Sequence, residues 1–342
     1  MRGCQDKLLN SSLVLIMLAA CSQEPADPPS ELPEIAEPAR TASGQVVVQS
    51  SRPPQQMIPV LDGWGSETGG RFELVTAEAG EEPVEADFYV NGSLAETWDQ
   101  AEADAFRPVY SETVARNIDA LLRDSESRWT ALSRRARAIV YNPEQVSAAE
   151  LQAIPDYESL RGQIWRNRLC LSSSTVPGNR LMVALLISRH DLREAEIIVR
   201  EWRANLASTV FADDEALLAA IDAGDCAIGI ADTTGVLTGA YDNVSVHWFA
   251  SPSETLVDVT TASVSRHARD PDQGAALLEW LTSDTPNALF AIQDLEFPAN
   301  SNARPANLIS GYAQNVSELK SLEELGFLIE EADRLSERAG YP

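Results

Sequence analysis

Leu169-Cys170-Leu171-Ser172-Ser173-Ser174-Thr175-Val176-Pro177-Gly178-Asn179-Arg180-Leu181-Met182-Val183-Ala184-Leu185-Leu186 is the stretch whose reading decides the fold. It reads as a short buried strand, a serine-rich turn, and a helix with Asn179 near its start. Backbone N–H groups without intrahelical partners, and the positive end of the helix dipole, make such a turn a natural anion site. Three hydroxyls add donors that can follow a ligand's shape. The same residues also read more plainly, as a capped helix behind a soluble turn.

Outward from this stretch, strands alternate with helices. Gln45–Ser50, Phe72–Thr76 and Ala86–Val90 read as strands, and helical spacing runs from Leu94 through Ala105. Arg137–Tyr141 is a further strand, ended by Asn142-Pro143. After the serine turn, two helices cover Asn179–His190 and Glu194–Leu206, and Asp213-Asp214 opens a third that ends at Ala223-Gly224. Ala227–Ala231 is a buried strand running into Asp232-Thr233-Thr234-Gly235, and Val244–Phe249 is another. Asp270-Pro271 starts a helix, and the tail from Ser317 is amphipathic and helical. This alternation predicts an α/β architecture with a largely parallel sheet, in which ligands sit outside the carboxyl ends of the strands. Three such ends are small and polar: Ser50-Ser51, Asn91-Gly92-Ser93 and Ser172–Ser174.

The first twenty residues read as a signal rather than as fold. A basic start at Arg2 and Lys7, an apolar run over Leu13–Leu18 and the small-residue stretch Leu18-Ala19-Ala20-Cys21 form a secretory leader, and the run is too short for a permanent span. Leu-Ala-Ala-Cys resembles a bacterial lipobox, which implies cleavage before Cys21 and lipidation of its thiol. Ser22 follows where an aspartate would favour inner-membrane retention, so the resemblance leaves outer-membrane sorting open. Residues 22–43 carry five prolines and five acidic residues with almost nothing to bury, and read as a tether. In such a compartment Cys170 and Cys226 form a disulfide by default, with a two-Cys metal site as the rival.

A net charge of −26 over 342 residues argues against nucleic acid and against an electrostatic hold on anionic lipid. No Gly-x-Ser-x-Gly elbow, no phosphate-binding Gly-rich Lys-Ser/Thr loop and no His-Glu-x-x-His occurs. His190, His247 and His267 are scattered, and the chain does not read as an enzyme.

In this order the pieces resemble the periplasmic ferric-iron-binding proteins of ABC importers. The resemblance runs from about Gln45 to Pro342. It is carried by Val48-Gln49-Ser50-Ser51-Arg52, Arg135–Asn142, Arg168–Ser174, Ala223–Ile228, Arg266–Pro271 and Phe297–Asn300. It implies a two-lobed type 2 periplasmic-binding fold with two hinge strands, Ile139–Tyr141 and Val244–Phe249. By that division, residues 44–137 plus 250–342 form one lobe, 138–243 the other, and 244–249 the second hinge strand. It also implies a monomer with an ABC permease as partner.

The departures bear on the ligand. Ferric iron prefers oxygen donors, and this family supplies tyrosinates, often with a histidine. Where the family has His-Tyr after Ser-Ser-Arg, this chain has Pro53-Pro54. Pro177 stands where a tyrosine follows the serine turn, and Thr234-Gly235 where paired tyrosines follow the later strand. The segment between Val75 and Ala86 is also short. No cofactor is expected, and iron only as an anion complex. The candidate ligand-binding residues are Ser50, Ser51, Arg52, Ser172, Ser173, Ser174, Asn179, Asp232, Thr233 and Thr234. Arg52 is the group expected to pair a carboxylate or phosphate bidentately. Two functions follow: a lipid-anchored binding protein for a small anionic or polar solute, or a binding-protein fold without a solute acting as an envelope sensor or structural partner.

Overall fold

The computed structural model describes residues 44–76, 85–317 and 321–342. The expected leader, the Cys21 anchor and the tether lie outside the described residues.

Val46-Val47-Val48-Gln49-Ser50 forms strand β1 (Val46–Ser50) with every residue buried, as a parallel strand covered on both faces requires. Helix α1 (Pro54–Thr68) starts on a proline, whose missing N–H would be unpaired there anyway, and ends at Gly69 with φ 75°. Strands β2 (Phe72–Thr76) and β3 (Phe88–Asn91) flank β1, both parallel to it. Helix α2 (Leu94–Glu102) is capped by the Ser93 hydroxyl, which accepts from Ala95 N. A short α3 (Glu112–Asn117) leads to β4 (Thr130–Tyr141), twelve residues long.

Next come α4 (Ala148–Gln152), β5 (Leu169–Cys170), α5 (Pro177–Arg189), α6 (Leu192–Ala204), α7 (Asp214–Asp222) and β6 (Ile228–Asp232). A single-turn α8 (Thr233–Leu237) and β7 (Ser245–His247) precede β8 (Leu256–Val264), nine residues without one exposed. The chain closes with α9 (Pro271–Leu281), α10 (Asp284–Ile292), β9 (Phe297–Pro298), α11 (Leu322–Phe327) and α12 (Ile329–Ala339).

The sheet runs β2-β1-β3-β8-β4-β6-β5, with β7 and β9 also paired to β4. Strand β4 joins its two ends. Its first part lies antiparallel to β8 as far as Arg137, opposite Leu256, and its last part lies antiparallel to β6 from Arg137, opposite Asp232. β7 continues along the edge that β8 leaves, with Ile139 opposite His247. The two stretches expected to form the hinge are therefore neighbours.

β5 and β6 pair in parallel, Cys170 opposite Gly229. That pairing brings Cys170 and Cys226 together as a disulfide with a Cα separation of 6.0 Å, inside the span such a bond needs.

Three elements depart from the sequence expectation. β4 begins seven residues before Arg137, because Ser133-Arg134-Arg135 reads as surface but lies paired inside the sheet. β8, whose Asp258, Thr260 and Thr261 are buried polar residues, gave no apolar run to read. Finally, α12 packs against α5 and α6, elements that the sequence division assigns to the other lobe.

Candidate functional site

Alternation along a strand puts residues i and i+2 on one face. Arg135 and Arg137 of β4 obey this, and together with Arg52 they form the charged floor of the molecule. Arg52 leaves the end of β1, where its own N–H donates to the Ser50 hydroxyl at 2.9 Å. Its Nη2 donates to Thr260 Oγ1 at 3.1 Å and to the Glu296 carboxylate, and Asp294 Oδ2 lies 3.2 Å from Nη1. The guanidinium also stacks on Phe290, 4.3 Å from the ring centroid.

Arg135 donates through Nε to Asp232 Oδ2 at 3.0 Å and through Nη2 to Asp258 Oδ2 at 2.8 Å, and it also reaches Glu296 and the Gly92 carbonyl. Arg137 donates to both oxygens of Asp214 at 2.7 and 3.0 Å, and to Asn179 Oδ1 at 2.7 Å. Asp232 accepts from Arg135 and Arg137 alike. Glu296 and Asp232 thus join three arginines into one continuous chain of charge.

Burial by itself would raise the Glu296 carboxyl, but Arg52 and Arg135 beside it hold it below its ordinary value. Burial likewise works against ionised Asp214, and Arg137 with the Ser172 hydroxyl reverses it, leaving that carboxyl lowered. Asp294 goes the other way: its burial outweighs the pull of Arg52, and its carboxyl is raised.

Over this floor lies a cavity of about 370 Å³, lined by Arg52, Gln56, Gly92, Arg135, Thr234, Gly235, Thr238, Thr260, Asp294 and Glu296. It draws on the ends of β1 and β3, the middle of β4, α8 and the loop after α10. The lining side chains are charged or polar, with two glycines and no large apolar residue, which suits a small hydrated solute better than a large apolar one. Among the described residues no group of three or more His, Cys, Asp and Glu is arranged to hold a metal.

The sequence-predicted residues divide. Arg52 and Thr234 line the cavity. Ser51 lies beside it, taking the Gly92 N–H at 2.6 Å and donating to Glu96. Asp232, Asn179 and Ser172 belong to the charge chain: the Ser172 hydroxyl donates to Asp214 at 2.6 Å, and Asn179 Nδ2 donates to Ser172 Oγ at 2.9 Å. Ser50 and Thr233 are buried.

The serine turn itself is not open to a ligand through its backbone. Ser173 N donates to Phe211 O and Ser174 N to Pro342 O, each at 2.8 Å, while Val176 N returns to Ser173 O. The Ser173 hydroxyl also contacts Pro342 O at 3.1 Å, and Tyr341 Oη donates to Ser172 O. The donors expected to await an anion are occupied because the chain's last residues fold over the turn. Arg135, Glu296, Asp258 and Thr260 were missed. The Arg135-Ala136-Arg137 alternation was the available signal for the first; the others are single residues on distant segments.

No protein-family profile matches the chain. Among curated proteins it is 25% identical to iron uptake protein A1 of Synechocystis sp. over 345 residues, spanning 95% of this chain and 93% of that protein. It is 22% identical to the Fe(3+)-binding periplasmic protein of Serratia marcescens over 261 residues, 71% and 75% of the two chains. Over most of its length the chain is thus similar to periplasmic ferric-iron-binding proteins.

Solved structures agree on the fold. Apo ferric ion-binding protein A of Pasteurella haemolytica superposes with a TM-score of 0.78 at 21% identity, covering 87% of this chain and 98% of that one. Trichodesmium FutA, solved with iron and citrate, also gives 0.78, at 23% identity, covering 87% and 100%. The fold is the two-lobed type 2 periplasmic-binding fold.

Against the family that it resembles, this chain is divergent. Thr234 and Gly235, which stand where the resemblance expects paired tyrosines, do face the cavity. The chain's tyrosines are spent elsewhere. Tyr157 and Tyr341 are buried and bonded to backbone, Tyr312 stacks on Trp248, Tyr89 packs on Phe106, Tyr110 is exposed, and Tyr141 and Tyr241 lie away from the lining.

Proposed function

We propose that this protein is a lipid-anchored solute-binding component of an ABC importer, held at the periplasmic face of the envelope through Cys21. Its ligand is a small anionic or polar solute, with ferric iron taken only as an anion complex. One observation carries the reading: the cavity is lined by Arg52, Arg135, three threonines, Gln56 and two carboxylates, with no phenolate or imidazole. Asp294 and Glu296 are hard oxygen donors, but both face Arg52, which competes with a metal for them. The Gln56 side-chain carbonyl oxygen is buried without a hydrogen-bond partner among the described residues, which leaves one acceptor for a solute, while Arg52 Nη1 has only the Asp294 carboxylate beside it. The relatives named for iron and the FutA structure holding citrate make ferric citrate the first compound to test.

The lobes take the division given above, 44–137 plus 250–342 against 138–243 with 244–249 as the second hinge strand, and α12 reaches across to α5 and α6 of the second lobe. Titration of the mature protein with ferric citrate and with citrate alone, followed by calorimetry and visible absorbance, tests the reading. Heat without a tyrosinate band is expected. A tyrosinate charge-transfer band overturns the ligand assignment. Absence of heat with any small anion favours the solute-free sensor or structural partner, for which the internal pairing of Arg52 and Arg135 is the supporting observation.

The anchor has its own test. Cys21→Ser is expected to move the protein from the membrane to the soluble fraction, and its retention on the membrane would defeat that part of the reading.

A further inference from the structure

Away from the cavity, the loop between α3 and β4 encloses a second, much smaller space. Arg123 and Thr130 face each other as an antiparallel bridge, and Asp124 N donates to Trp129 O within the loop they close. Arg128 clamps the loop by donating to both oxygens of Asp124, at 2.9 and 3.0 Å. Behind the clamp lies a cavity of about 20 Å³ lined by Val109, Ser111, Val114, Arg123, Ser127, Trp129 and Thr130.

Three of those residues carry a buried polar atom with no partner among the described residues: Arg123 Nε, Trp129 Nε1 and Thr130 Oγ1. Trp129 is 1% exposed and Thr130 2%. An unpaired buried polar group costs about 1–3 kcal/mol, so three lining one small space call for a common partner. Their chemistry restricts what that partner is. An indole N–H and a guanidinium N–H only donate, and a threonine hydroxyl is free to donate as well. The Ser111 hydroxyl is already engaged, since its Oγ donates to Glu279 at 2.5 Å and accepts from Val114 N. Among the described residues, no carboxylate lies within ion-pair distance of Arg123. The space exceeds the roughly 10–15 Å³ that a single water requires.

We propose that this cavity is a binding site for one monatomic anion, a halide such as chloride, held by Arg123 Nε, Trp129 Nε1 and Thr130 Oγ. The anion satisfies three donors at once, supplies the negative charge that Arg123 lacks, and fastens the loop to β4. Water is the competing occupant. It can accept from the indole and the guanidinium, but it brings no negative charge to Arg123, which has no carboxylate within ion-pair distance among the described residues.

Crystals of the mature protein grown without chloride and soaked in sodium bromide give the direct test, since bromide scatters anomalously and water does not. An anomalous peak within hydrogen-bonding reach of Arg123 Nε and Trp129 Nε1 is the expected result. Solvent density without an anomalous signal overturns the proposal in favour of water. In solution, exchanging gluconate for chloride at constant ionic strength is expected to raise the melting temperature by a few degrees. That rise is expected to shrink in Thr130→Val, which removes one donor at constant shape. An equal rise in both proteins, or none in either, counts against the site.

Discussion

Arg137 and Asp214 form a two-pronged ion pair, Nη1 to Oδ2 at 2.7 Å and Nη2 to Oδ1 at 3.0 Å, around a guanidinium with no exposed surface. It stands where β4 changes partners from β8 to β6, and it reaches the first residue of α7 and, through Asn179, the first turn of α5. Four elements thus share one fixed charge. Gly178 is the cost of that placement: a Cβ there would stand 2.6 Å from Arg137 Nη1. Removing one member of a buried pair leaves the other charge uncompensated, which costs about 3–5 kcal/mol. Arg137→Met is therefore expected to destabilise by that amount in urea denaturation. Adding Asp214→Asn in the same chain is expected to recover part of it, and simple additivity of the two losses would show that the pair is not coupled.

Acid should act through Glu296 and Asp214. Both carboxyls are held below their ordinary values, by Arg52 and Arg135 in one case and Arg137 in the other, against the opposing effect of burial. A carboxyl lowered by folding contributes stability that is complete above its unfolded value, about pH 4, and is lost as pH falls through the folded value. The urea midpoint is expected to fall steadily below about pH 5. Glu296→Gln is expected to flatten that slope while lowering stability at neutral pH, and an unchanged slope would remove Glu296 from the account.

The disulfide closes a loop between residues 56 apart, Cys170 and Cys226, on neighbouring parallel strands. In the chain-entropy treatment such a closure is worth about 4 kcal/mol. Reduction, or the Cys170→Ala and Cys226→Ala pair, is expected to lower the unfolding free energy by about that amount and the urea midpoint with it. An unchanged midpoint would mean that the unfolded chain is already constrained there.

What the sequence disclosed follows from the range of each signal. Local signals were legible: the Val46–Val48 run, the Asp270-Pro271 start, the Ala223-Gly224 exit with Gly224 at φ 82°, and the two cysteines entering adjacent strands. β8 escaped because a strand buried among ion pairs carries Asp258 and Thr260 where hydrophobic periodicity looks for valine. The site was half legible for the same reason. Arg52 and Thr234 were found because each closes a strand end, but Glu296 and Asp258 act only through arginines distant in sequence. The serine turn was read correctly as a source of donors. Its occupant, the Pro342 carbonyl oxygen, comes from 168 residues further on, and no local pattern announces that.

Thr234 offers the most direct test of why this chain departs from the family it resembles. Its side chain borders the cavity within reach of the same lining as Asp294 and Glu296, at a position where the resemblance expects a phenol. Thr234→Tyr places a phenolate donor there at the cost of one half-buried threonine of α8. Gly235→Tyr is the poorer choice, since even a Cβ at Gly235 would stand 2.7 Å from Leu218 Cδ1. A hard oxygen ligand added to a site that holds iron only through an anion should change the optical signature before it changes much else. The native protein with ferric citrate is expected to show no tyrosinate charge-transfer band, and Thr234→Tyr is expected to show one, with affinity for ferric citrate raised about tenfold, equivalent to 1.4 kcal/mol. A band in the native protein would mean that one of its own tyrosines reaches the metal. If Thr234→Tyr binds ferric citrate no better and shows no band, then the Arg52–Glu296 pairing excludes the metal whatever ligand is supplied, and the cavity's solute is an anion or a neutral polar molecule without iron.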